Sequence, residues 1–139
     1  MITDAQLRLS NAQAVAGTGA LNSTNVIDLL SANRNLGRGQ PMRLVLTVDT
    51  TLVGGTQFQA QYVQSANADL SAPDVLVTGP TSVTPVAGTK ILDIALPDNT
   101  KRYVGVIYGR TGTYTAGAVS AHLVSDSDAN PYVPSITGY

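Results

Sequence analysis

Apolar and polar residues alternate along several short stretches of the chain, and this period of two is typical of strands that bury one face. The clearest stretch is 42–49, whose apolar face consists of Met42, Leu44, Leu46 and Val48. Residues 58–64 and 91–96 repeat the alternation. Residues 103–108 are apolar on both faces around Gly105, which predicts a central strand covered from both sides.

Turn signals separate these strands and set their number. Gly54-Gly55 follows the first strand, Pro97-Asp98-Asn99 ends the third, and residues 109–112 turn the chain before a last strand at 118–124. Weaker strands are indicated at 6–9, 26–30 and 75–77, and a single helical turn at 31–36. We therefore predict an all-β fold: a single-domain, jelly-roll-like sandwich of about eight short strands.

Both ends of the chain contain apolar residues outside this strand pattern. Residues 126–139 read DSDANPYVPSITGY, and Pro131 and Pro134 prevent regular ladder pairing there. The segment is too apolar for an ordinary disordered tail, and residues 9–25 have the same character without any charge. Each segment must be covered by its own domain or by a neighbour. We predict extended terminal arms at about 1–25 and 126–139 that act as contact elements.

Composition supports a β fold and excludes several classes of function. Only 12% of the 139 residues are charged, Glu is absent, and Lys occurs twice, so strong helix formers are scarce. The net charge of −1 provides no field that would attract nucleic acid or an anionic membrane. Without cysteine there is no disulfide scaffold, thiol nucleophile or cysteine metal site. We expect no nucleic-acid partner, no membrane partner and synthesis in the cytoplasm.

The sequence offers little for catalysis. His122, the only histidine, lies in a strand pattern with no nucleophile motif beside it, and we interpret it as a strand-surface residue without a catalytic role. Residues 126–130 match the first ligands of a calcium loop, but Pro131 stands where the loop needs glycine and no Glu supplies the bidentate ligand. We predict no enzyme, no cofactor and no metal.

Two kinds of side chain are candidates for a protein interface. Arg34, Arg38 and Arg43 form a small basic cluster, which either faces solvent or meets carboxylates of a protein partner. Tyr132 and Tyr139 lie in the C-terminal arm, and Tyr and Arg are enriched at interfaces. The uncharged runs 9–27, 50–68 and 75–89 are longer than the strands within them. We interpret them as surface that other subunits cover.

Several segments, taken in order, are similar to one family. They are residues 6–15 (QLRLSNAQAV), 23–29 (STNVIDL), 34–39 (RNLGRG), Pro41, 44–49 (LVLTVD), 92–97 (LDIALP), 102–104 (RYV), 114–117 (YTAG), 121–124 (AHLV) and 132–135 (YVPS). Together they resemble the Bbp16-like capsid cement proteins of tailed bacteriophages. None of these segments is a catalytic signature, so their order and spacing carry the resemblance.

The resemblance implies a jelly-roll protein on the outer surface of the virion capsid. It would assemble as a homodimer or homotrimer, bridge neighbouring major capsid proteins and stabilise the shell against the pressure of packaged DNA. The alternative is a carbohydrate-binding or adhesive β-sandwich, since lectins share this architecture. The absence of Trp and the single Phe count against a sugar site. A third and weaker hypothesis is a hydrolase on a β-scaffold, because this chain lacks a nucleophile motif.

Overall fold

The computed structural model describes residues 5–34 and 42–125, and they form an antiparallel β-structure. One 3₁₀ turn (Ala5–Leu7) precedes eight strands. These are β1 (Arg8–Ala14), β2 (Gly17–Asn22), β3 (Ile27–Asp28), β4 (Met42–Gly54), β5 (Gln57–Ser65), β6 (Asp74–Ser82), β7 (Lys90–Ala95) and β8 (Tyr103–Ser125). The all-β prediction is confirmed, and every weaker strand prediction overlaps a strand. Of the helical turn predicted at 31–36, residues 32 and 33 form a turn and 35–36 lie outside the described residues.

Strand β8 organises the fold, because it pairs with five of the other seven strands. Its first part, residues 103–111, pairs with β5 on one side and with β2 and β3 on the other. Its last part, residues 118–125, lies between β4 and β1. Strands β6 and β7 add to β5 and β4, which gives the order β6-β5-β8-β4-β7. All eight strands therefore belong to one sheet that is nearly closed as a barrel, and β8 bends from one layer of this sandwich into the other.

The turn predicted at 109–112 was wrong, because β8 continues through it for 23 residues. Gly109 pairs with Gln59, and the ladder with β5 extends to Thr111. Two glycines with positive φ, Gly112 at 74° and Gly117 at 138°, bend the strand just beyond this point. Glycine inside a strand marks a bend or bulge as well as a turn. Here the glycines redirect a strand from one layer into the other.

The core lies between the two layers. Leu44, Leu46 and Val48 of β4 are at most 2% exposed, as the alternation predicted, and Phe58 of β5 is fully buried. From β8, residues of both parts contribute to the same cluster, among them Val106 and Leu123. The hydrophobic effect over this single cluster holds the layers together.

The predicted N-terminal arm is largely part of the folded domain. Residues 8–14 and 17–22 form β1 and β2 along the edge of β8, and Leu9 and Val15 are fully buried. The domain itself therefore covers these two apolar residues, whereas most other residues of the stretch 9–25 are exposed, and its role as a contact element stays a prediction. The predicted C-terminal arm, 126–139, lies outside the described residues.

Candidate interaction surfaces

Charged side chains gather where β8 begins. Arg102 donates from Nε and Nη2 to the two carboxylate oxygens of Asp28 at 2.7 and 2.8 Å, and its guanidinium lies 5.1 Å from the ring centroid of Tyr103. Lys101 Nζ lies 2.8 Å from Asp74 Oδ2 at the start of β6. We call this the charged end, defined by Asp28, Arg34, Asp74, Lys101 and Arg102. Paired charges of both signs here suit a partner with a matching pattern.

The Asp28–Arg102 pair gives the charged end a predictable response to acid. The hydrogen bond from Arg102, helped by the Leu30 amide, lowers the pKa of Asp28 from 3.8 to about 2. A carboxylate whose folded pKa is depressed stabilises the fold above its unfolded pKa and loses that contribution as pH falls. We expect an NMR titration of Asp28 to give a midpoint near 2 in the native protein and a higher one in Arg102→Gln. Equal midpoints would show that the pair does not form in solution.

Of the predicted interface arginines, Arg34 belongs to the charged end and Arg43 lies beside it. Arg34 is exposed and donates from Nη1 to the Leu29 carbonyl at 3.3 Å, and its own carbonyl accepts from Asn99 Nδ2. Arg43 Nε lies 2.6 Å from Asp93 Oδ1. The connection between β7 and β8 contacts the segments of both arginines. Asn99 reaches the Arg34 carbonyl, and Leu96 N donates to the carbonyl of Met42, which precedes Arg43. Arg38, Tyr132 and Tyr139 lie outside the described residues, and the interface role of all five stays a prediction.

Asp93 joins two cations on the outer surface of β7. Lys90 Nζ lies 2.7 Å from Asp93 Oδ2, opposite the oxygen that Arg43 contacts. Burial would raise the pKa of Asp93, but hydrogen bonds from Lys90 and Arg43 outweigh it and hold the pKa below its ordinary value. Asp93 therefore holds Arg43 in place while it also contacts Lys90.

Among the described residues, the opposite end of the molecule carries no charge. It consists of residues 50–57, 82–89 and 111–117, which are the β4–β5 turn, the loop after β6 and the bend of β8. We call these 23 residues the uncharged end. Strand β8 connects the two ends. At 3.3 Å per residue, its residues 103 and 111 are about 26 Å apart, so the uncharged end lies far from the charged end. Three of its valines are exposed: Val53 (50%), Val83 (56%) and Val86 (59%).

Hydrogen bonds join the three segments of the uncharged end. Leu52 N donates to the Pro85 carbonyl at 3.0 Å, and Ala87 N donates to Thr51 Oγ1 at 2.9 Å. Tyr114 Oη donates to the Val83 carbonyl at 2.6 Å, which ties the bend of β8 to the same loop. The exposed valines therefore lie on chain segments that these hydrogen bonds hold together.

Arg110 flanks this end, where its guanidinium holds the β1–β2 turn. It donates to four backbone carbonyls at distances between 2.6 and 3.1 Å; these belong to Val15, Ala16, Thr18 and Gly19. A planar guanidinium has five donors in a fixed geometry, which suits convergent carbonyls. This arginine is engaged inside its own chain.

The interpretation of His122 as a surface residue was wrong. It is 9% exposed and lies opposite Arg8 of β1. Within the described residues, His122 Nδ1 and Arg8 Nε are buried without a hydrogen-bond partner. Burial, with the positive charge of Arg8, lowers the pKa of His122, whereas Asp49 acts in the opposite direction.

Ser120, two residues before His122, does not form a catalytic relay with it. Its hydroxyl donates to Asp49 Oδ2 and accepts from the Ala12 amide. In a Ser-His-Asp catalytic triad, the histidine lies between the serine hydroxyl and the carboxylate and hydrogen-bonds to both. Here Ser120 contacts the carboxylate directly and links three strands. No group of three or more His, Asp or Glu side chains could hold a metal ion in the described part of the chain.

The sequence model of the Bbp16 family matches residues 9–123, which is more than four-fifths of the chain. The chain belongs to the Bbp16 family. This family is phage-associated. No curated protein matches the sequence. Among residues 5–34 and 42–125, no helix is long and apolar enough to cross a membrane.

The region shared with the Bbp16 family contains both ends of the molecule. It extends from the second residue of β1 to within two residues of the end of β8, and it includes Arg34, Arg43 and the exposed valines. Tyr132 and Tyr139 follow it. Sequence reasoning missed Val53, Val83 and Val86 individually, although the uncharged runs 50–68 and 75–89 contain them. The pairing of β5 with β6 and the hydrogen bonds between residues 51–52 and the loop after β6 bring those two runs to the same end.

Proposed function

We propose that this Bbp16-family protein is a non-enzymatic structural protein of the phage virion. It acts as a cement, or decoration, protein on the outside of the head, where it bridges major capsid proteins and stabilises the shell against internal DNA pressure. The observation that carries the proposal is the match to a phage-associated family over nearly all the folded residues. The separation of charged and uncharged surface supports it, because a bridging protein needs more than one binding surface.

The charged end with Arg43 beside it is the surface we assign to the capsid protein. Between two different proteins, paired charges contribute more to the rate of association and to the relative orientation of the partners than to the affinity. Arg34 is exposed there, and Arg43 is held by Asp93 in a defined orientation. Repetition over many symmetric copies converts modest affinity per site into strong overall attachment. A cement protein therefore functions with few charged contacts on each copy.

The alternative of a sugar-binding module has less support. Carbohydrate sites usually present exposed aromatic rings, yet Phe58, Tyr62, Tyr108 and Tyr114 are at most 1% exposed. Tyr103 is the remaining aromatic residue in the described segments, and Arg102 lies over its ring. We therefore favour the capsid role.

Removing the arginines tests the capsid surface. We expect Arg34→Gln with Arg43→Gln to weaken binding to expanded heads by about tenfold or more, since truncating a charged interface partner costs about 2 kcal/mol or more. Co-sedimentation of purified protein with heads measures this. Lys90→Gln is the control, because it removes a positive charge from the same Asp93 cluster and leaves both arginines.

Three outcomes decide between the surfaces and the function. Loss of binding in the arginine variant alone supports the proposal. Equal loss in Lys90→Gln means that net charge, and not the arginine surface, drives binding. If the unmodified protein does not sediment with heads and instead binds specifically on a glycan array, the capsid role is wrong and the adhesive alternative takes its place.

A further inference from the structure

We propose that Arg8 and His122 form an acid-sensitive latch: the neutral imidazole lets the start of β1 lie on β8, and protonation of His122 loosens it. We call residues 5–9 the N-terminal edge. Arg8 lies directly opposite His122 in the ladder between β1 and β8. The latch operates within one chain, so it does not depend on the proposed capsid role.

The surroundings of His122 suit a neutral imidazole better than an imidazolium. His122 is 9% exposed, and its Nδ1 is buried without a hydrogen-bond partner among the described residues. Val45 pairs with it from β4, and Val124 lies two residues further along the same face of β8. These two valines are each 2% exposed and form an apolar cluster apart from the main core. A buried charge without a hydrogen-bonded partner is costly in such a place.

Charged groups act on His122 from both neighbouring strands, and their effects are opposed. Arg8 of β1 adds a second positive charge, and its Nε is also buried without a partner in the described segments. Asp49 of β4 attracts a proton, but it is exposed and already accepts the hydroxyl of Ser120. Burial and then Arg8 outweigh Asp49, so the pKa of His122 lies below its ordinary value of 6.5. The charged groups further along β4 and on β7 are paired with one another; they are Arg43, Asp93 and Lys90.

The N-terminal edge is the part of β1 that repulsion between Arg8 and His122 can open. The register against β8 shifts between Arg8 and Ser10 and again before Gln13, so Arg8 is separated from the regular part of the ladder. The 3₁₀ turn before it contains no buried residue. Ser10 is the natural pivot, because its hydroxyl is hydrogen-bonded to the side chains of Gln13 and Tyr108. Chain ends with few buried contacts open at low cost.

Uncharged contacts close the edge at neutral pH. Leu9 is fully buried and its carbonyl accepts from Asn25 N at 2.9 Å, while the Arg8 carbonyl accepts from Asn25 Nδ2 at 3.0 Å. None of these contacts titrates. Because the pKa of His122 is depressed in the closed state, closure is most stable above pH 6.5 and weakens as the pH falls below that value. The opening equilibrium rises by about tenfold for each pH unit that separates the titration midpoints of the closed and open states.

NMR titration of His122, the single histidine, tests the charge coupling. We expect its imidazole C–H resonance in the full chain to titrate with a midpoint below 6.5. Arg8→Gln is expected to raise the midpoint, because it removes the neighbouring positive charge, and Asp49→Asn is expected to lower it. A midpoint at or above 6.5, or one that Arg8→Gln leaves unchanged, would overturn the inference.

Hydrogen exchange tests whether the edge opens. Between about pH 8 and about pH 5, the range over which histidine changes charge, we expect exchange of residues 5–9 to accelerate after correction for the intrinsic effect of pH. Residues 44–48 of β4 are the internal control and should change little. His122→Gln cannot take up the proton, so its acid response should disappear, and that of Arg8→Gln should shrink.

The possible outcomes separate a latch from general acid sensitivity. An equal response in residues 44–48 means that acid loosens the whole fold, and an unchanged response in His122→Gln means that another group titrates; either result contradicts the latch. Circular dichroism at neutral pH verifies that each variant is folded. If His122→Gln does not fold, Arg8→Gln still tests the inference. Neither measurement involves heads, so failure of the capsid role and failure of the latch are distinguishable.

Discussion

Phe58→Ala is expected to lower the free energy of unfolding by about 3–5 kcal/mol, the range for deleting a buried aromatic ring. Phe58 is fully buried, stacks on Tyr108 with ring centroids 5.9 Å apart, and meets the edge of Tyr114 at 6.1 Å. Tyr108 belongs to the first part of β8 and Tyr114 to its bend. The ring of Phe58 therefore supports the strand that the two layers share, and its loss leaves a cavity between two large side chains.

Urea unfolding followed by circular dichroism measures this effect. Phe58→Leu is the control, because it keeps most of the apolar volume and is expected to cost less than about 1.5 kcal/mol. If Phe58→Leu costs nothing, the ring contacts contribute nothing beyond apolar burial. If leucine and alanine cost the same, the apolar volume that leucine keeps does not fill the site, and the cavity explanation is wrong. If Phe58→Ala does not fold at all, the leucine variant still measures the aromatic contribution.

Local alternation was sufficient to predict most strands, because one buried face imposes a period of two on the sequence. In β4 the residues Leu44, Leu46 and Val48 follow that rule, and they are buried as expected. The path of β8 could not be predicted this way. A glycine-containing segment looks the same whether it reverses the chain or bends a strand, and only the ladder between Thr111 and Gln57 distinguishes them.

The candidate surfaces were predictable in composition and not in position. Low charge in residues 50–68 and 75–89 indicated covered surface, but it did not show that Val53 and Val86 lie at one end. That proximity depends on hydrogen bonds between segments more than thirty residues apart, such as Ala87 N to Thr51 Oγ1. The burial of His122 could not be predicted for the same reason. The alternation pattern around His122 carries no information about Arg8, which lies opposite it on the neighbouring strand.

Gly55→Ala is expected to destabilise the corner of the sandwich by about 2–5 kcal/mol, the sum of about 1–2 kcal/mol of backbone strain and about 1–3 kcal/mol of overpacking. Gly55 has φ of 63°, a left-handed conformation that costs a residue with a Cβ roughly 1–2 kcal/mol. A Cβ there would also lie 2.3 Å from Cε2 of Tyr114. The ring has little freedom to move, because Tyr114 is 1% exposed, packs on Phe58 and donates to the Val83 carbonyl.

Gly88 separates the two contributions at Gly55. Its φ is 87°, yet a Cβ there would have no atom within 4 Å, so Gly88→Ala carries the backbone strain without the collision. We expect thermal unfolding to show a much larger loss for Gly55→Ala than for Gly88→Ala, and Tyr114→Leu to reduce that difference in a double-mutant cycle. Equal losses would mean that the corner relaxes freely around Tyr114.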